Sequence, residues 1–158
     1  MYTVLDFLRK LFDSSKNNDL SLENIEIKNT RDIEKLMRGL GPERAGKIMR
    51  TRALEGNLIC QLFFASGASM LPEADLTDSI RRDFEVFTKM AAENGDAGSQ
   101  FNLALLFVKK VDSTQSYFSG DNIENLKQAK HWHQKAASQG FKPSIQSLKN
   151  LESVFDEI

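Results

Sequence analysis

The sequence predicts an all-α fold, and more specifically a short right-handed α-solenoid of stacked helical hairpins with about eight helices. Two observations lead to this prediction. The same pattern of residue sizes surrounds three glycines, Gly56, Gly95 and Gly140, which lie 39 and 45 residues apart, and this is the period of helical-hairpin arrays. Elsewhere, apolar residues recur at spacings of three and four, as on the buried side of an amphipathic helix.

The pattern around each glycine assigns a size to each position of a hairpin. A large apolar residue lies eight positions before the glycine, an alanine three before, a small residue four after and an apolar residue eight after. In that order, the residues are Ile48, Ala53, Cys60 and Phe64 in the first copy, Phe87, Ala92, Ser99 and Leu103 in the second, and Trp132, Ala137, Ser144 and Leu148 in the third. Small residues let neighbouring helices approach closely, and large residues fill the space between hairpins. Because one hairpin cannot bury both of its faces, we expect the copies to stack.

The N-terminal part of the chain is predicted to hold two helices before the repeats. Residues 2–13 carry an apolar stripe of about three turns and are predicted as a capping helix. Residues 14–28 are polar at first and then ambiguous between helix and strand, so they are predicted as a loop. Asn29 or Thr30 caps the next helix, which ends at Gly41–Pro42.

Six further helices are predicted from punctuating glycines, prolines and caps. Pro42 begins the first of them, Asp96 caps one, and Asp121 with Glu124 forms a capping box for another. The predicted ranges are 42–55, 57–70, 76–94, 97–110, 121–139 and 143–155, with a polar loop over 111–120. The buried side of the last helix is predicted to consist of Ile145, Leu148, Leu151, Val154 and Phe155.

Composition limits the domain organisation and the partners. With 158 residues, of which 41% are apolar, the chain can bury a core as one domain. We therefore expect a single domain over 1–158, with an N-terminal cap over 1–42 and repeat hairpins over 43–158. A net charge of −1 favours neither nucleic acid nor an acidic membrane surface as a partner. The lone Cys60, an N-terminus without a secretory apolar region and the lack of a membrane-length apolar stretch predict a cytoplasmic protein.

Two segments carry a resemblance to a known family. AKHWHQKAASQG, at residues 129–140, and AAENGDAGSQFNLA, at residues 91–104, resemble the Sel-one-like repeat, a relative of the tetratricopeptide repeat. The resemblance covers about Ala45 to Phe155. Phe84 and Arg52 depart from it, because they stand where the family usually has alanine. The resemblance implies an α-solenoid that makes protein–protein contacts, without chemistry of its own.

The sequence offers no usable catalytic constellation. Residues 41–48 follow the spacing of a phosphate-binding loop, but Ile48 replaces the hydroxyl residue that would hold magnesium, and no predicted strand precedes the segment. His131 and His133 would point about 200° apart on a helix and cannot hold one ion, so we interpret them as surface or interface histidines. Cys60 occupies the small position of the repeat and is interpreted as a buried spacer. We therefore predict no catalytic residue, no metal site and no cofactor, and we do not expect an enzyme.

Two sets of residues are candidates for binding another protein. Tyr117 and Phe118 are adjacent in the polar loop, where they either fold back over the edge of the solenoid or anchor a partner. Repeat solenoids also bind along a groove lined by one helix of each pair. The polar candidates on the first helices of the hairpins are Gln61, Gln100, Asn102, Lys109, Gln146 and Lys149.

Two functions remain open. The family resemblance and the small size favour a cytoplasmic bacterial immunity protein, which binds a cognate toxin or effector and inhibits it by steric occlusion. The alternative is a scaffold or adaptor in bacterial signalling or envelope assembly. In either case we expect a monomer that forms a heteromeric complex with another protein. A toxin-like reading frame directly upstream would favour the first function.

Overall fold

The computed structural model describes residues 20–67, 77–116 and 119–156. Within these ranges the chain forms a short 3₁₀ helix, Leu20–Asn24, and seven α-helices, without any strand. The helices are α1 (Thr30–Leu40), α2 (Pro42–Leu54), α3 (Leu58–Gly67), α4 (Asp78–Glu93), α5 (Ala97–Lys109), α6 (Gly120–Ser138) and α7 (Lys142–Asp156). The predicted all-α class is confirmed. The predicted helix over residues 2–13 lies outside the described residues.

The chain divides into two compact units. Unit 1 comprises residues 1–87 and unit 2 comprises residues 88–158, so the boundary falls within α4. The predicted single domain, with its cap over 1–42 and hairpins over 43–158, stays a prediction. The two units are described separately below.

In unit 1, α1 begins with a reciprocal cap. The Asn29 side chain accepts a hydrogen bond from the Arg31 amide (2.9 Å), and Asp32 Oδ2 accepts from the Asn29 amide (3.2 Å). Such a capping box satisfies amide groups that have no partner within the helix. The predicted apolar stripe of α1 is buried, and it consists of Ile33, Leu36, Met37 and Leu40.

The segment before α1 differs in part from its prediction as a loop. Of its described residues, 20–24 form the 3₁₀ helix and 25–28 have no regular secondary structure, and tertiary contacts hold both parts in place. Glu23 forms an ion pair with Arg44 of α2, and the Asn57 side-chain amide donates to the Ile27 carbonyl (2.8 Å). Both partners lie more than twenty residues along the chain, so local periodicity carried no sign of them.

The three repeat glycines form the same turn, as predicted. Gly56, Gly95 and Gly140 have φ of +99°, +97° and +80°, a backbone conformation that glycine adopts without steric penalty. In each copy the glycine amide donates to the carbonyl of the alanine three positions before it, and the next amide donates to a carbonyl five residues before its own position. This pair of bonds resembles a helix-ending Schellman motif.

Unit 2 is built around α6. Trp132, in its C-terminal half, packs with Leu103 and Ala104 of α5. Leu126, in its N-terminal half, packs with Leu151 of α7 and with half-buried apolar residues from both neighbouring helices. α5 and α7 therefore both run antiparallel to α6.

Three finer predictions in unit 2 are wrong. α6 begins at Gly120 with Ser119 as its N-cap residue, so Asp121 lies inside the first turn and does not form the predicted capping box. Ile145 of α7 is 40% exposed and is not part of the buried side. In the third repeat copy the fully buried alanine is Ala136, whereas Ala137 is half-buried.

Candidate partner-binding surface

The exposed side of α5 combines apolar and basic residues. Successive residues of an α-helix are rotated by about 100°, which places Phe101, Asn102, Leu105, Val108 and Lys109 within an arc of roughly 120°. Leu105 and Val108 are 39% and 38% exposed, Lys109 is exposed, and the other two are half-buried. We call these five residues the α5 arc. Leu105 and Val108, three residues apart, are neighbours on the helix surface and form a small exposed apolar patch.

The rest of unit 2 holds this arc in a fixed orientation. The opposite side of α5 is buried through Leu103 and Ala104. At one edge of the arc, the Phe101 ring lies 5.5 Å from the ring of His133 and 5.5 Å from that of Phe141, measured between centroids. The remaining residues of the arc are therefore presented on a helix that cannot rotate.

The electrostatic character of α5 is purely basic. No Asp or Glu occurs among its residues, and Lys109 and Lys110 stand at its C-terminal end. Within the described ranges neither lysine forms an ion pair, and the Lys110 ammonium lies 5.3 Å above the Phe107 ring centroid. An aromatic face attracts a cation but does not neutralise its charge.

The carboxylate nearest in sequence to these lysines, that of Asp112, forms hydrogen bonds within its own turn. Asp112 accepts hydrogen bonds from the Thr114 hydroxyl (2.7 Å), the Thr114 amide (2.8 Å) and the Gln115 side chain (2.9 Å). These bonds, led by those from Thr114, lower the pKa of Asp112. Asp112 is therefore ionised at neutral pH, and it stabilises its own turn instead of pairing with the lysines.

A buried asparagine fixes the backbone of the same turn. Asn122, which is 2% exposed, accepts from the Asp112 amide (2.8 Å) and donates to the carbonyls of Asp112 (2.9 Å) and Ser116 (3.0 Å). Because the turn is already ordered, this chain loses little conformational entropy when a partner binds beside the turn.

The structure places the predicted binding residues in different environments. Asn102 and Lys109 lie together on the α5 arc. Gln146 and Lys149 are exposed on α7. The adjacent pair Tyr117 and Phe118 lies outside the described residues.

Gln61 and Gln100 are not available to a partner. Both are buried, and each side-chain amide donates to an alanine carbonyl eight residues earlier, at 2.9 Å to Ala53 and 3.1 Å to Ala92. These carbonyls lie in the last turn of a helix, where the backbone acceptors lack helical partners. The glutamine five positions after a repeat glycine therefore completes the turn, and its role is structural.

Gln139 extends this arrangement from one turn to the next. Its side-chain amide donates both to the Gly95 carbonyl (2.9 Å) and to Gln100 Oε1 (2.8 Å). The second and third repeat turns are thus connected by hydrogen bonds within unit 2.

The two histidines, both interpreted as surface or interface residues, lie in different environments, and the interpretation is wrong for His133. His131 is exposed, but His133 is only 1% exposed, and its Nδ1 lies 3.2 Å from the hydroxyl of the equally buried Ser144. Burial lowers the pKa of His133. The helical phase places it on the inner side of α6, so its neutral ring links α6 to α7 as part of the core.

The thiol of Cys60 is held in its protonated form. Cys60 is completely buried, as predicted, and burial raises the pKa of its thiol to about 11, which keeps it protonated. Across the described residues, no group of three or more His, Cys, Asp or Glu side chains is placed to hold a metal ion. No described helix combines the length and apolar character needed to cross a membrane.

Unit 1 contains a cleft of about 500 Å³ beside the first repeat turn. Its lining includes residues 24–27 together with Arg52, Glu55 and Asn57. The Arg52 guanidinium pairs with Glu55 (3.0 Å), and Asn57 bonds to the cleft wall itself. The side chains of Arg52, Glu55 and Asn57 are therefore already engaged within unit 1.

Sequence reasoning missed Leu105, Val108 and Asn122. The signal for the first two was present, since α5 carries more large apolar residues than one helical face can bury, and these two fall outside the repeating stripe. Asn122 gave no comparable signal, because its three hydrogen bonds depend on the path of the preceding loop.

No family model, curated protein or solved structure matches this chain. The resemblance to the Sel-one-like repeat accordingly rests on the residues quoted above.

Proposed function

We propose that this chain is a non-catalytic protein-binding module and that the α5 arc is its contact surface. The observation that supports the proposal is the exposure of Leu105 and Val108 beside Lys109 on a rigidly held helix without carboxylates. Removing such apolar side chains from water is the main favourable contribution to most protein association.

In its full form, the proposal is that stacked helical hairpins build a short right-handed α-solenoid, which acts as a cytoplasmic immunity protein against a cognate toxin or effector. Occlusion would require only a stable surface and stoichiometric binding. The shared turn geometry at Gly56, Gly95 and Gly140 supports the hairpin repeat, and the resemblance to Sel-one-like repeats supports protein binding. A scaffold that recruits a signalling or envelope component would use the same surface, and it is the alternative.

The expected energetic contribution of the arc follows from its exposed area. Complete burial of a Leu or Val side chain stabilises by about 1.5–3 kcal/mol. Since Leu105 and Val108 are already partly covered, each would contribute about 1 kcal/mol on binding. Losing both should weaken the complex by about 2 kcal/mol, or roughly 30-fold in Kd.

The test is a pair of matched double variants. After the partner has been isolated from the host and purified, calorimetry compares the wild-type chain with Leu105→Gln/Val108→Gln and with Leu54→Gln/Val86→Gln. Leu54 and Val86 are equally prominent apolar residues of unit 1, at 52% and 45% exposure. We expect the first double variant to lose affinity and the second to retain it.

Equal affinity of the two double variants for the partner would contradict the assignment of the α5 arc as the contact surface. Turnover of a substrate by the purified chain would contradict non-catalytic binding. Coexpression separates the two functional forms. An immunity protein should rescue growth when the partner gene is induced, and Leu105→Gln/Val108→Gln should rescue less well. A partner without toxicity would favour the scaffold.

A further inference from the structure

We infer that the protein segment received by the α5 arc is acidic, with apolar residues beside its carboxylates. This inference rests on the proposed function and specifies the chemistry of the partner. It is carried by the apolar pair Leu105 and Val108 next to Lys109 at the C-terminal end of the α5 arc, with Lys110 following in sequence.

Neither lysine at this end of α5 forms an ion pair within the described residues. Asp112 follows within three residues, but its carboxylate accepts hydrogen bonds from Thr114 and Gln115 and contacts neither lysine. The C-terminal carbonyls of a helix attract cations, which accounts for a basic residue in the last turn. This attraction does not account for the exposed apolar side chains of Leu105 and Val108, which lie in the last two turns of α5. A partner segment that carries both a carboxylate and apolar residues would satisfy both features, because complementary charge fixes the register of an apolar contact.

The surface suits a short segment. Phe101 and Lys109 are eight residues apart, which corresponds to about 12 Å along the helix. Two helical turns, or an extended stretch of about four residues, would cover this distance.

A second copy of the chain does not fit this surface. In a two-fold symmetric dimer the same patch faces itself, and α5 holds no carboxylate that could pair with the lysines of the other copy.

Nucleic acid and anionic membranes are poorer candidates. Recognition of a phosphate backbone relies on several basic residues in a stripe, whereas the α5 arc adjoins only two lysines. Leu105 and Val108 would also remain unused against a phosphate backbone.

The probe is a displayed library of random linear peptides about 14 residues long, long enough to exceed two helical turns. It is selected in parallel against the wild-type chain, against Lys109→Glu/Lys110→Glu, and against Lys127→Glu/Lys142→Glu. The last variant makes the same change in net charge at exposed lysines of α6 and α7. Circular dichroism establishes that each variant is folded before selection.

We expect the wild-type chain and the Lys127/Lys142 control to enrich peptides with Asp or Glu next to Leu, Ile or Phe. The Lys109/Lys110 variant should lose these peptides and enrich basic ones. A synthetic peptide from the wild-type selection should bind about ten-fold more weakly to the Lys109/Lys110 variant, since each exposed ion pair is worth a few-fold and reversal adds repulsion. Raising the salt concentration should reduce this difference.

Other outcomes overturn the inference in distinguishable ways. Selection of apolar peptides without acidic residues, whose binding is lost only on Leu105→Gln/Val108→Gln, would support the α5 arc as the binding surface and contradict an acidic partner. Peptides that bind equally well to every variant would contradict both the α5 arc as the binding surface and the acidic partner. Tighter binding of a single-stranded oligonucleotide or of phosphatidylglycerol vesicles, dependent on Lys109, would replace a protein partner with a polyanion or a membrane. Dimerisation that Lys109→Glu abolishes would identify a second copy.

Discussion

Units 1 and 2 differ in how they hold most of their basic side chains, although unit 2 also has one ion pair among the described residues, Lys89–Glu93 at 3.9 Å. In unit 1, Arg50 binds Asp83 through Nε and Nη2 at 2.8–3.2 Å, and Lys47 and Arg52 pair with Glu43 and Glu55. In unit 2, lysines lie over aromatic rings: Lys110 over Phe107, Lys130 over Phe155 and Lys135 over Trp132, at 4.5–5.3 Å from the ring centroids.

The difference shows where charge is available for a partner. An ion pair cancels the field of both groups at a distance, so the arginines of unit 1 contribute mainly to its own surface structure. A lysine over an aromatic ring keeps its charge, because the ring offers only a quadrupole. The basic end of α5 therefore remains available for binding, although the whole chain carries a net charge of only −1.

The largest expected effect concerns the packing on which unit 2 depends. Ala136 is fully buried on α6, next to the half-buried Ala137. Ala136→Leu should overpack this site and reduce the free energy of unfolding by about 1–3 kcal/mol, as measured by urea denaturation. Ala137→Leu is the matched control, and it should cost less because its side chain has an outlet to solvent. If Ala137→Leu were the more damaging change, the assignment of the inner face of α6 would be wrong.

A second prediction uses the buried histidine of unit 2. The folded state holds His133 neutral, with a pKa below the 6.5 of the unfolded chain, so the unfolded state binds more protons as the pH falls below 6.5. The free energy of unfolding should therefore be greatest above pH 6.5 and decrease as the pH falls from there through the folded-state pKa. The facing residues Ser144 and Phe101 supply no carboxylate to stabilise the imidazolium.

The histidine prediction is checked by following unfolding free energy against pH for two variants. His133→Gln should remove the part of the acid destabilisation that begins near pH 6.5. His131→Gln, at the exposed neighbouring histidine, should leave it in place. A pH profile that is identical for the wild-type chain and His133→Gln would contradict the account.

The third prediction concerns the turn that both units use. Gly95 has a φ of +97°, and a Cβ built there meets no other atom within 4 Å, so the cost of Gly95→Ala is conformational and not steric. We expect a loss of about 1 kcal/mol in the free energy of unfolding. Gly46→Ala is the control, since it lies within α2 with equally open space, and alanine should stabilise that helix. A higher melting temperature for Gly95→Ala would mean that a helix can continue through the turn.

The smallest expected effect distinguishes the charges of the two units. Arg50→Gln should reduce stability by about 0.5 kcal/mol at low salt, because it removes an exposed ion pair, and this loss should shrink as salt is added. Lys149→Gln, which removes an exposed lysine without an ion pair among the described residues, should have no salt-dependent cost. Equal salt dependence of the two variants would remove the contrast between the units.

The sequence predicted the helices well where the signal was local. The apolar stripe of α1, the Asp96 cap, which accepts from the Ser99 amide at 2.7 Å, and the turn glycines each depend on residues within a few positions of one another. Periodicity and capping chemistry act over the same range, so these features could be predicted without tertiary structure.

The candidate site was predicted only in part, because exposure depends on what packs against a helix. Glutamine is usually a surface residue, but Gln61 and Gln100 are buried, and the side chain of each donates a hydrogen bond to the carbonyl eight residues earlier. Isoleucine is usually a core residue, but Ile145 is exposed because α6 contacts α7 through Ser144 and Leu151, on a different side of that helix. Of the predicted polar candidates, Asn102 and Lys109 lie on the α5 arc, and the exposed apolar residues between them were missed.

Hydrogen–deuterium exchange of the purified complex tests the central claim most directly, since it compares the two units in one experiment. Binding through the α5 arc should slow exchange in the C-terminal half of α5 and in residues 110–116, relative to the free chain. Exchange in α1 and α2 of unit 1 should stay unchanged. Protection confined to α1 and α2, with α5 exchanging as in the free chain, would contradict the assignment of the binding surface.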